Sequence, residues 1–420
     1  MSFTTICTRL RSIANLKSMR PLLLAALLPL TAAAGGCKDA SPRTASVADP
    51  QPGAVFATVG EAGDAAAEAI AFTMGTYVQI KAEAASQEQA ERALQAALRE
   101  LDRLSAIVDR FRPDSQVSLI NSHAGDQSWV EVSPDIISML QTARQVAEKS
   151  GGAFDPTIAP LVDLWGFVEA AGESGPESDG GQEAASHEGV GKVGPTHIRG
   201  HKPPAAASIA QLLPLVSYKD VEIDEAGGRV RLHRPGQALD LGGIAKGYGV
   251  HQVARILRQH GVIRALVDLG GNIYALGTKA DGSPWRVGIQ DPRDPGGIIA
   301  VVPVTDAALS TSGDYERYFE YDGVRYSHLL DPHTGWPARD VLSVTVITPD
   351  GALGDALSTA AFVLGRDRGL ALLESLPDVE GIVVLPDFSV RITSGLAGKV
   401  EVVGRGRLDS GTTPAGGEEE

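Results

Sequence analysis

From residue 86 to 108 apolar side chains recur at every third or fourth position (Ala90, Ala93, Leu94, Ala97, Leu98, Leu101, Leu104, Val108), which predicts one helix with a single buried stripe. Ser86 followed three residues later by Gln89 gives that helix a capping box. A second helix is expected from Ser133-Pro134-Asp135, since proline's missing N–H is harmless in a first turn, and Gly151-Gly152 stops it after Lys149. A third, with Val250, Val253, Ile256 and Leu257 on one side, follows the pair Gly242-Gly243 at the end of a short strand and runs to Gly261. A fourth starts near Gly354 and stops at Gly365. Short β-branched runs at Ala265-Leu266-Val267, Val344-Thr345-Val346-Ile347 and Ile382-Val383-Val384 read as strands. Helices and strands alternate throughout, so the class is α/β or α+β.

The pattern fails in three places. Basic residues Arg9, Arg11, Lys17 and Arg20 precede the apolar run of residues 21–34, too short to span a bilayer comfortably, which reads as an export signal. It ends in Ala34-Gly35-Gly36-Cys37, which resembles a bacterial lipobox; the other reading is ordinary cleavage after Ala34. The expected order is a lipoprotein-type signal over 1–36, a flexible tether over 37–55, a folded domain over 56–403 with a mobile insertion at about 169–204, and an acidic tail over 404–420. With 52 acidic against 37 basic residues the net charge is −15, which argues against nucleic acid as a partner. Of the two cysteines, Cys7 falls in the signal, so Cys37 has no partner for an intramolecular disulfide.

Four segments carry candidate chemistry. In Asp240-Leu241-Gly242-Gly243-Ile244-Ala245-Lys246 a glycine pair meets a helix start and Lys246 adds a positive charge, a plausible phosphate cradle or simply a structural turn. In Gly354-Asp355-Ala356-Leu357-Ser358-Thr359 a carboxylate and a hydroxyl stand four apart on one helical face, a pair of hard donors suited to magnesium; alternatively Asp355 only caps the helix. In Ser310 to Asp314 and His328 to Gly335, His328 is a candidate general base, while Asp331-Pro332-His333-Thr334-Gly335 is by itself a turn. In Gly151 to Thr157, Asp155 either meets a ring edge or forms an Asx-turn.

Taken in order, these motifs resemble the ApbE-type FAD:protein FMN transferases, also described as thiamine biosynthesis lipoproteins. The likeness also includes Phe72-Thr73-Met74-Gly75-Thr76, Phe111-Arg112-Pro113-Asp114-Ser115 and Val267-Asp268-Leu269-Gly270-Gly271-Asn272, and so covers nearly all of the chain between tether and tail except the insertion. It implies an α+β fold, a single domain of mixed sheets packed with helices and a flavin cleft between them. It further implies that Met74, Phe111, Ala153, Phe154, Asp155, Asp240, Lys246 and Leu329 line an FAD site. Mg2+ would be held by Asp355, Thr359 and the main-chain oxygen of Gly243, with Ser358 standing where some members have a second aspartate. Phe111 replaces a tyrosine or tryptophan common in the family, and the insertion has no counterpart.

The implied reaction moves the FMN moiety of FAD to a Thr or Ser in an Asp-x-x-Ser/Thr-Gly-Ala-Ser/Thr segment of an exported redox protein and releases AMP. His328 or Asp314 would take the hydroxyl proton. The implied location is the periplasmic side of a bacterial membrane, anchored by a lipid on Cys37. Two other readings use the same residues: an FAD pyrophosphatase, in which water replaces the acceptor, and a flavin carrier without chemistry.

Overall fold

The computed structural model describes residues 55–56, 65–167, 196–198 and 200–409. The expected signal, Cys37, nearly all of the tether, most of the insertion and the end of the tail lie outside the described residues. Where these segments are described, Thr196–His197 pairs in parallel with Arg317–Tyr321, and Arg407–Leu408 pairs in parallel with Ser389–Ile392.

A ten-stranded mixed sheet forms the middle layer, in the order Val55–Phe56, Ala66–Thr73, Thr76–Glu83, Arg264–Leu269, Asn272–Leu276, Ala307–Gly313, Ser343–Thr348, Glu380–Val384, Ser389–Ile392, Arg407–Leu408. All pairs but the last are antiparallel. The helices Gln87–Val108, Ala245–Gln259 and Gly351–Glu374 cover one face, and a smaller sheet of Trp285–Asp291, Asp294–Val304 and Glu401–Val402 covers the other. Strand alternation builds both cores. Val344 and Val346 face the helices, while Ile347 faces the small sheet. The α+β expectation is therefore met. Among the described residues no helix is long and apolar enough to cross a membrane.

The first helix has the expected stripe, with Ala90, Ala93, Leu94, Ala97, Leu98, Leu101 and Leu104 buried. Its capping box is only half formed. Ser86 Oγ accepts from the Gln89 backbone N–H, but the Gln89 side chain donates instead to the carbonyl of His260, 2.7 Å away at the end of the neighbouring helix. That carbonyl is one of the open acceptors a helix end leaves, so the amide pairs there. The second helix, Pro134–Lys149, starts and stops as expected, with φ of 65° and 90° at Gly151 and Gly152.

Two expectations are corrected. No strand precedes Gly242-Gly243: Ala238 makes an isolated bridge to Ile158, and the next backbone groups are held by the Asn121 side chain, which bonds both the N–H and C=O of Leu239. The fourth helix begins at Gly351, three residues early, because Asp350 accepts from the N–H groups of Ala352 and Leu353. Asp355 is therefore not the cap. At Gly365 the backbone leaves helical geometry (φ 82°) and then resumes to Glu374, so the glycine breaks the helix and does not end it.

Candidate active site

The site is organised by two helix starts that cross at glycines. A Cβ on Gly247 would overlap the Gly351 carbonyl oxygen and lie 2.5 Å from Asp355 Cβ, so only bare backbone permits this approach. The contact lets the Gly247 N–H donate to Asp355 Oδ2 at 2.8 Å. Asp355 is 4% exposed, and burial raises its pKa; Lys246, the Gly247 N–H and the Asn272 side chain pull the other way. A carboxylate held there as an anion calls for a cation.

Thr359, one turn on, faces the glycine pair: Thr359 Oγ1 is 3.5 Å, and Phe154 Cε2 3.1 Å, from where a Gly243 Cβ would stand. Gly243, Lys246, Phe154, Asp355 and Thr359 thus come together from three distant segments. Lys246 Nζ donates to the Gly242 carbonyl at 3.2 Å. Ser358 is turned differently from the metal-ligand role expected of it. Fully buried and short, it donates to the Asp355 carbonyl at 2.8 Å and lies 2.8 Å from Ser312 Oγ.

His328 is half-buried, with its Nδ1 3.3 Å from the Arg317 carbonyl. A carbonyl only accepts, which assigns the ring proton to Nδ1 and leaves the Nε2 lone pair free. Burial, then the charges of Arg317 and Lys246, pushes the imidazole down to about 3, so it is neutral at ordinary pH. Asp314 does not share this freedom. Both its oxygens accept from Arg293, at 2.7 and 2.6 Å, and Arg325 stands 3.9 Å away. Both carboxylate oxygens are thus engaged by a guanidinium. Of the two expected proton acceptors, His328 keeps a ring lone pair open, while Asp314 has both oxygens bonded to Arg293.

The expected flavin-lining residues fall into three groups. Phe111 is 50% exposed, and the guanidinium of Arg110 lies 4.3 Å from its ring centroid. Arg110 also pairs with Asp240 (2.9 Å) and Asp163 (2.6 Å), tying the Phe111 loop to the glycine-pair loop. Ala153, Phe154 and Leu329 are buried, and Met74 Sδ is 3.4 Å from where a Gly249 Cβ would stand. Asp155 is engaged within the chain: its oxygens accept from the Thr157 N–H, the Thr157 hydroxyl and the Tyr218 N–H. Burial raises its pKa against those bonds. The Asx-turn reading is the one that forms.

Sequence reasoning singled out neither Ser312, Asn272, Arg110 nor Arg293. Ser312 and Asn272 lie inside quoted motifs, and period-2 alternation from the buried Ser310 would have put Ser312 on the helix side. For Arg110 and Arg293 the sequence carries no signal, since their partners are 53 and 21 residues away.

The donor set fits a small hard cation. It offers one buried carboxylate and the Thr359 hydroxyl beside Gly243, and the oxygen of the buried Asn272 side chain has no hydrogen-bond partner. Among the described residues no cluster of three or more His, Cys, Asp or Glu is poised to hold a metal. Magnesium commonly takes one or two carboxylates and completes its shell with water and substrate phosphates.

Comparison with known proteins adds independent findings. A family model described as the ApbE family matches residues 74–383. The FAD:protein FMN transferase of Treponema pallidum is 38% identical over 323 residues, 74% of this chain and 82% of that protein. One from Klebsiella pneumoniae is 34% identical over 77% of this chain and 90% of its own length. Among solved structures, the ApbE protein of Thermotoga maritima aligns with a TM-score of 0.66 at 33% identity, covering 79% of this chain and 98% of that one.

Proposed function

The chain belongs to the ApbE family, and from that premise we propose that it transfers the FMN moiety of FAD to a Thr or Ser hydroxyl of an exported redox protein, with Mg2+ at the Asp355 and Thr359 oxygens and AMP as the second product. The observation that carries the reading is the crossing of two helix starts, where a buried carboxylate, a hydroxyl and Lys246 converge. Helix N-termini and a lysine attract phosphates, and a carboxylate with a hydroxyl attracts the cation that phosphates carry. A carrier has no need of the second pair.

In the proposed step the acceptor hydroxyl oxygen bonds to the phosphorus on the riboflavin side, the bond to the bridging oxygen breaks, and AMP leaves with that oxygen. Phosphoryl transfer of this kind is mostly positioning and charge neutralisation. Bound magnesium supplies Lewis-acid neutralisation of the phosphates. Nε2 of His328 accepts the hydroxyl proton, while Nδ1 stays bonded to the Arg317 carbonyl. Lys246 takes up charge on the phosphate oxygens. Phe111, held by Arg110, offers a ring face to the isoalloxazine. The basic, apolar leader and Cys37 support a place on the periplasmic side of a bacterial membrane, with a lipid anchor; the family resemblance implies an acceptor carrying Asp-x-x-Ser/Thr-Gly-Ala-Ser/Thr.

The test is incubation of the mature protein with FAD, MgCl2 and a peptide containing the acceptor segment, followed by mass analysis. An FMN-sized gain on the peptide is expected. Free FMN with AMP and unchanged peptide, or intact FAD, overturns the proposal.

A further inference from the structure

Behind Thr359 lies a row of three hydroxyls. Ser358 Oγ is 2.8 Å from the Asp355 carbonyl, Ser312 Oγ is 2.8 Å from Ser358 Oγ, and Thr359 Oγ1 is 3.2 Å from Ser312 Oγ. Ser358 is fully buried and Ser312 is 8% exposed, so protein groups decide their orientation, while Thr359 reaches toward the open side beside Gly243. We infer that Ser312 and Ser358 form an ordered hydroxyl chain that fixes Thr359 as an oxygen donor to the cation site, making Ser312 a positioning residue.

Each hydroxyl has one proton to give. The Asp355 carbonyl only accepts, so Ser358 spends its proton there. The contact between Ser312 and Ser358 then requires Ser312 to donate. Having given its proton away, Ser312 meets Thr359 as an acceptor, and Thr359 donates to it. The Thr359 proton is thereby drawn to the strand Ala307–Gly313, and the Oγ1 lone pairs are left for the site. The order starts at the carbonyl of Asp355, so one residue supplies the carboxylate and orients the neighbouring donor. The serine at 358 has a definite use here: an aspartate at that position has no proton to give the carbonyl when ionised.

This inference rests on the proposed cation at Asp355 and Thr359, and the experiment separates the two. Mn2+ alone is titrated by electron paramagnetic resonance into the wild type and into Ser312→Ala, Ser358→Ala, Thr359→Ala and the double variant Ser312→Ala/Thr359→Ala, with urea unfolding confirming that each is folded. Loss of such outer support commonly weakens metal binding about 10- to 100-fold. Ser312→Ala is expected to weaken Mn2+ by about tenfold or more. Ser358→Ala weakens it too, because Ser312 is then free to turn its proton toward Thr359. The double variant binds no worse than Thr359→Ala, since Ser312 acts only through that hydroxyl. Unchanged affinity in Ser312→Ala, or losses that multiply in the double variant, overturns the hydroxyl chain while leaving the cation site standing. Absence of Mn2+ binding in the wild type overturns the cation site itself.

Discussion

Replacing Gly247 by alanine sets two effects of opposite sign against each other. Gly247 lies inside the helix Ala245–Gln259, where alanine ordinarily stabilises by about 1 kcal/mol. Here the added Cβ would lie 2.5 Å from Asp355 Cβ and 2.8 Å from the Gly351 carbonyl carbon, and would overlap the carbonyl oxygen. Backbone cannot swing aside as a side chain does, so the two helices must separate. Overpacking of this kind costs roughly 1–3 kcal/mol. Separation also stretches the bond from the Gly247 N–H to Asp355 Oδ2; bonds to charged groups contribute about 1.5–3 kcal/mol. The net expectation is destabilisation by about 2–4 kcal/mol, with the collision winning over propensity. Urea unfolding followed by circular dichroism measures it, and Mn2+ titration reports the displaced carboxylate. Gly247→Ala as stable as wild type, or more stable, would refute the close crossing on which the site's geometry depends.

Other substitutions probe the chemistry. Asp355→Ala is expected to abolish peptide flavinylation while the circular dichroism spectrum stays native, because the buried charge serves the site and burial already opposes it. His328→Ala should lose transfer, whereas Asp314→Asn, which loosens the pair with Arg293, should lower the urea midpoint yet keep measurable turnover; the reverse order would reassign the proton acceptor. Since His328 is depressed from 6.5 to about 3, folding favours its neutral form, so its contribution is intact above 6.5 and is lost as pH falls toward 3. Unfolding measured between pH 7 and 4 should therefore show a shallower acid loss in His328→Gln than in wild type. Phe111→Ala should weaken FAD binding by about 1 kcal/mol beyond lost area, read from flavin fluorescence, with Phe111→Trp near wild type.

Much of this architecture is legible in local pattern, because a buried stripe, a proline at a helix start and a positive-φ glycine are local physics. The helix Gln87–Val108 and the Gly151-Gly152 stop are examples. Interactions between distant segments leave no such trace. Nothing near Gln89 reveals that its amide belongs to His260, 171 residues on, nor near Asp314 that Arg293 claims it. At Asp240 to Lys246 the glycine pair and the charge are visible, but the absence of a strand is not, because Asn121 replaces the ladder from 118 residues away. Asp355 and Thr359 are readable as one helical face. Their meeting with Gly243 depends on the bare backbone of Gly247 and Gly351, which only the packed structure displays.

The central claim is that this site couples cleavage of FAD to modification of a protein hydroxyl. Its most direct test counts AMP and flavinylated acceptor peptide in the same reaction over time, with Mg2+ present and with EDTA added. The account predicts one AMP for each peptide modified at every time point, and neither product under EDTA. AMP accumulating without modified peptide, or modification undiminished by EDTA, would contradict it.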